Sequence, residues 1–241
     1  TAAGADEALK GAAPSNSAAE TTIKSIYFSD LITFNPNVQV LLGARVDNFS
    51  GIPSSFLTES IDNQTTISPK VGVVFQPLPQ QWSLFGNYMN GFQNIDPVQV
   101  ADLDGSNPTI KVFEPEQADQ WEIGSKWESK HKKWNISGSY YHILVSNKVM
   151  SDPNNMNSSI QGGEVESKGY ELSITARPIK GLDIIAGFAN NHTEVIKDTP
   201  NGGYLGLRPE ESGPETLVNF WANYRLAIPS LQNFSIGFGG N

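Results

Sequence analysis

The sequence predicts an all-β chain, an antiparallel transmembrane β-barrel wall of about ten up-and-down strands, and three observations lead there. From Thr22 onward, apolar and polar residues alternate with period two over roughly 8 to 12 residues at a time. The connections between these runs alternate between short and long. Aromatic side chains gather on the apolar face beside the short connections.

Residues 1–21 are rich in Ala, Gly and Ser and hold almost no large apolar side chain, which predicts a flexible loop or arm. Strands are expected over 22–33, 38–49, 66–76, 82–91, 118–128, 134–147, 165–177, 182–195, 215–226 and 233–240. In the second run Val38, Val40, Leu42, Ala44 and Val46 share one face, and Gln39, Leu41, Gly43, Arg45 and Asp47 share the other. Tyr170, Leu172, Ile174 and Ala176 are set against Glu171, Ser173, Thr175 and Arg177 in the same way. Short turns are expected at 34–37, 77–81, 129–133, 178–181 and 227–232, and long polar loops at 50–65, 92–117, 148–164 and 196–214. That alternation fits a barrel with tight turns on the inner rim and extended loops on the outer rim. Phe75, Trp82, Trp127, Trp134, Tyr224 and Phe234 lie on the apolar face next to short turns, as membrane-interface aromatics do. Tyr88, Trp121 and Tyr140 form a second set six residues further along their strands.

Composition narrows the function. With 16 Lys and Arg against 25 Asp and Glu, the formal net charge is −9, which argues against nucleic acid as a partner. No Cys is present, so disulfides and Cys-based zinc sites are excluded. No run of about 18 apolar residues exists, so no transmembrane helix is expected; a barrel does not require one.

The stretches FEPEQADQWEIGSKWE (113–128) and GGEVESKGYELSITARPIKGLDIIAGFANN (162–191) resemble the barrel of TonB-dependent siderophore receptors, supported by VQVLLGARVDNF (38–49), TISPKVGVVFQP (66–77) and WSLFGNYMNGFQ (82–93). The resemblance covers residues 25–240. It implies a 22-stranded barrel in the bacterial outer membrane, plugged by a separate domain, that binds ferric siderophores outside and imports them with energy relayed by TonB. On this resemblance, residues 22–241 are a later, incomplete part of the barrel, surrounded by outer-membrane lipid. The plug is expected to lie outside this sequence, so TonB would act only through that absent region.

No catalytic constellation is expected: there is no Cys, and His131, His142 and His192 are scattered. Neither a cofactor nor a metal is expected, and Glu114, Glu116 and Asp119 read as solvated loop carboxylates. For a chelate, aromatic planes and polar or cationic groups on the outer loops are the natural contacts, which selects Phe92, Gln93, Tyr204 and Arg208. Two other readings stay open: a complete small outer-membrane barrel acting as a pore or anchor, and a soluble β-sandwich that binds carbohydrate.

Overall fold

A computed structural model describes residues 20–52, 61–199, 201–209, 212–226, 228 and 234–241. Ten long strands form one antiparallel sheet: β1 (Glu20–Asn35), β2 (Val38–Ile52), β3 (Ile61–Leu78), β4 (Trp82–Gln93), β7 (Glu116–Glu128), β8 (Trp134–Asp152), β9 (Asn155–Ala176), β10 (Leu182–Lys197), β11 (Thr216–Arg225) and β12 (Ser235–Gly240). Two short strands, β5 (Val98–Val100) and β6 (Thr109–Lys111), pair with each other inside the connection from β4 to β7. Each long strand pairs with its sequence neighbour, so the topology is a meander. The sheet is open, because β1 and β12 each pair on one side only.

The sheet is a curled wall. Leu31 of β1 and Asn219 of β11 line the same concavity of about 860 Å³, although seven strands separate theirs. Among the described residues no second layer covers the other face. Val73 and Ile123 are exposed there, and Val40 and Ile174 are half-buried, which rules out the sandwich reading.

Register assigns every strand residue to a face. The paired row Val38, Phe75, Leu84, Ser125, Gly138, Leu172, Phe188, Val218 crosses eight strands. It begins on the first residue of β2 and ends seven residues short of the inner end of β11. A climb of one residue per strand, about 3.3 Å against about 4.8 Å of strand spacing, is a tilt of about 35°.

The convex face carries the apolar set, including Ile26, Phe28, Val71, Val73, Ile123, Leu172 and Phe220, all exposed. The concave face carries Gln39, Asn87, Glu122, Lys126, Ser137, Ser139 and Glu171. Crowding confirms which face is inside. At concave-face glycines a neighbouring side chain lies flat over the backbone: Lys70 over Gly43, Phe85 over Gly124, Tyr141 over Gly169 and Trp221 over Gly239. At convex-face Gly138 an added Cβ would meet nothing nearer than 3.6 Å. Glycine is required where the inner surface of the curve leaves no room for a second side chain.

The strands run longer than their alternation shows. Residues 148–164 are not a loop, because β8 and β9 continue outward to a tight turn in which Asp152 accepts the Asn154 amide. This part meets the polar connection from β4 to β7 on one side and no lipid on the other, so its sequence (SDPNNMNSSIQGG) shows no apolar face and reads as a loop. Register shifts at 145–149 mark where the membrane pattern ends. Glu20 and Thr21 belong to β1, and the remainder of the predicted arm, residues 1–19, lies outside the described residues.

Candidate functional site

Most of the buried residues cluster on the outer half of the concave wall, beneath the outer loops. They include Asp47, Phe49, Thr66, Phe113, Val165, Thr193 and Val195. The connection from β4 to β7 is tied to the hairpin of β8 and β9 by amide side chains bonding to backbone. Asn155 Nδ2 donates to Ala101 O at 2.8 Å, Asn157 Nδ2 to Asp102 O at 3.0 Å, and Gln161 Nε2 to Glu114 O at 2.6 Å. Lys111 Nζ reaches Ser159 O at 2.9 Å, and Gln64 Nε2 reaches Phe113 O at 2.8 Å. A loop fixed this way has lost its entropy before any ligand arrives, which lowers the cost of binding. Within it, Ser106 donates to Asp104 through both its amide and its hydroxyl and holds that carboxyl below the usual carboxylate range.

The loop after β10 folds inward. Val195 bonds to it through both backbone groups, since Val195 N donates to Leu207 O and Val195 O accepts from Gly206 N. Arg208 fastens it: Nη1 donates to Asn191 O at 3.0 Å, and Nη2 to Ser212 O and Gly213 O at 3.3 and 3.1 Å. Asn191 in turn donates to Tyr141 Oη at 2.8 Å and Ser167 Oγ at 3.2 Å. Replacing Arg208 by Ala removes the hydrogen bonds that fasten the loop to Asn191, Ser212 and Gly213, a loss of about 1–3 kcal/mol. Hydrogen exchange at the Gly206 and Val195 amides is expected to quicken at least tenfold in this variant; unchanged exchange would contradict the anchoring role.

The four residues selected for ligand contact therefore occupy different places. Phe92 stacks on buried Phe49 at 5.6 Å between ring centroids, and Arg208 is consumed by loop backbone. Gln93 and Tyr204 are exposed. The three carboxylates do not converge: Glu116 accepts the Val149 amide and Asp119 accepts from Tyr88 and Asn90, while Glu114 meets Gln161 through its backbone alone. Among the described residues, no group of three or more metal-ligating side chains forms.

On the convex side, the lower aromatics Phe75, Trp82, Trp127, Trp134, Tyr224 and Phe234 all fall on the apolar face near the inner turns. Above them an aromatic ribbon crosses the wall, with Trp121 against Tyr140 at 5.4 Å and Tyr170 against Phe188 at 6.0 Å. Sequence reading missed Tyr170 and Phe188, although their place on the apolar face was available. Directly beyond the ribbon the convex face turns ionic, with His142 Nε2 2.8 Å and Lys168 Nζ 2.5 Å from Glu166.

A single curled sheet with an oily convex face bounded by aromatics and ionic groups, and a polar concave face, is the wall of an outer-membrane β-barrel. The model of the family "TonB dependent receptor-like, beta-barrel" matches residues 2–241, and the chain belongs to that family. It is 24% identical over 153 residues to the ferrichrome outer membrane transporter/phage receptor of Escherichia coli, covering 64% of this chain and 19% of that protein. It is 26% identical over 204 residues to the metal-pseudopaline receptor CntO of Pseudomonas aeruginosa, covering 80% and 28%. The solved ferripyoverdine receptor of the Pseudomonas aeruginosa outer membrane superposes with a TM-score of 0.72 at 21% identity, over 91% of this chain and 28% of that one. The chain thus spans between a fifth and a third of the length of these proteins.

Proposed function

We propose that this chain is a barrel portion of an outer-membrane receptor that binds ferric siderophores at its outer mouth and passes them inward. The observation that carries the reading is the inward-folded, backbone-fastened loop layer on the outer half of a polar concave wall. A pore or passive anchor has no need of such a layer. Ferrichrome and ferripyoverdine appear in the names of similar proteins and support an iron chelate as the ligand class. In this reading Tyr204 and Gln93 touch the chelate, while Phe92 and Arg208 hold the surface that presents them. Phe75, Trp82, Trp127, Trp134, Tyr224 and Phe234 sit at the inner lipid interface, where their ring edges stay hydrated. Coupling to TonB would pass through polypeptide outside these 241 residues.

The test is uptake of radioactive iron by cells grown under iron limitation, with the receptor gene deleted and then restored. Loss of uptake of at least one purified ferric siderophore on deletion, and its weakening by Tyr204→Ala, are expected. Unchanged uptake of every siderophore supplied would overturn the reading.

A further inference from the structure

Three donor groups stand together on the concave wall of β2 and β3. Arg45 and Asp47 are two residues apart on one face of β2, and Ser68 lies directly across from Arg45 in register. Lys70 is one row further toward the inner rim, its stem laid over Gly43. The Asp47 side chain is 0% exposed, yet that of Arg45 is 56% exposed. Arg45 is held from one side: its Nε lies 2.9 Å and its Nη2 2.7 Å from Asp47 Oδ1, and Nη2 lies 3.1 Å from Ser25 Oγ. It cannot swing away without stranding a buried carboxylate. Its Nη1 edge makes no hydrogen bond among the described residues.

The neighbouring groups are unsatisfied. Ser68 Oγ is covered and has no hydrogen-bond partner among the described residues, and neither has Asp47 Oδ2. Lys70 is exposed and forms no ion pair among the described residues. Nη1 of a guanidinium held in place through its other two nitrogens can donate to a carboxylate oxygen, and an ammonium beside it adds a second positive charge. Of the two covered atoms only Ser68 Oγ can donate, and a covered donor without a partner is rare in a folded protein and marks a place where an acceptor is missing.

The location gives the seat a use. Arg45 lies seven residues from the inner end of β2, about 19 Å up the wall at a tilt of about 35°. Just above it are Asp47 and Phe49, under the loop layer. A group passing from the mouth into the lumen meets this wall first.

We propose that Arg45, Ser68 and Lys70 form a carboxylate seat on the lumenal wall. The carboxylate belongs either to a polypeptide segment that fills the lumen or to a soluble iron chelate that has passed the mouth. The inference rests on the receptor reading for its lumen, but not for its chemistry.

The experiment uses the full-length receptor, purified in detergent, with Lys70→Gln and Arg45→Gln/Asp47→Asn as variants. The double variant removes the buried charge together with its partner, and Lys70→Arg is the control that keeps the charge. Citrate and ferric citrate are the soluble probes. If the seat is open to solutes, citrate binds with an affinity that falls as salt rises, and both charge-removing variants weaken it at least tenfold while Lys70→Arg retains it. If a polypeptide carboxylate occupies the seat, citrate does not bind, and Lys70→Gln lowers Tm by several degrees while Lys70→Arg does not. An exposed lysine without a partner would leave Tm unmoved. Absence of citrate binding together with an unchanged Tm in Lys70→Gln overturns the seat. Iron uptake by the same variants, measured in parallel, separates that result from failure of the receptor reading.

Discussion

Arginine in place of Ile123 is expected to cost about 2–4 kcal/mol of folding free energy in lipid, the figure for a cationic side chain at the bilayer midplane on the outside of a barrel. Ile123 is 57% exposed on the convex face, five residues from the inner end of β7, about 13 Å above the turn at the observed tilt. That is the middle of an apolar band about 25 Å tall. Its register partners Gly86 and Tyr140 offer no counter-charge. Ser173→Arg is the matched control, because Ser173 lines the concavity and its new charge would stay in water. Equilibrium unfolding from lipid vesicles, read by tryptophan fluorescence, should separate the two by at least 2 kcal/mol. Equal stabilities would mean that the convex face does not meet lipid, and the membrane assignment would fall.

Gly169→Val is expected to be worse, about 3 kcal/mol or more, and to leave much of the protein unfolded in a heat-modifiability gel. A Cβ at this position runs into the Asn190 carbonyl and comes within 2.7 Å of Tyr141 Oη and 2.9 Å of its ring. Overpacking of this kind costs about 1–3 kcal/mol. Moving Tyr141 also breaks its hydrogen bond from Asn191, which links to Ser167, Thr193 and the Arg208 anchor. Losing that hydrogen bond adds about 0.5–1.5 kcal/mol. Gly169→Ala combined with Tyr141→Ala distinguishes the causes. Because the Asn190 carbonyl belongs to the paired strand, removing the ring should recover only part of the loss; full recovery would show that the ring alone is responsible.

The wall was legible in the sequence wherever two solvents meet it. Val38 to Val46 and Tyr170 to Ala176 alternate because one face touches lipid and the other water, and there the inner ends of the expected strands, at 38 and 177, agree with the structure to within one residue. Where neither face meets lipid the signal vanishes, which is why the outer parts of β8 and β9 read as a loop. The small pair β5 and β6 was invisible for a different reason: three residues per strand carry no usable period. The candidate contacts were chosen by residue type. Type could not reveal that Arg208 spends its donors on Asn191, Ser212 and Gly213, nor that Phe92 is stacked on Phe49. The grouping of Arg45, Ser68 and Lys70 depends on pairing register between β2 and β3, which no single-strand pattern contains.

The unbroken hairpin of β8 and β9 carries this part of the chain well clear of the cell surface. Twenty-two residues at a tilt of about 35° rise about 60 Å, and a hydrocarbon layer of about 25 Å accounts for less than half of that. The remainder is a mast about 35 Å high, with Met156 fully in view near its tip. An epitope grafted at Asn154 should be stained by antibody on living, unpermeabilised bacteria, and a phage or toxin drifting toward the surface would strike this spar before it reached the opening below.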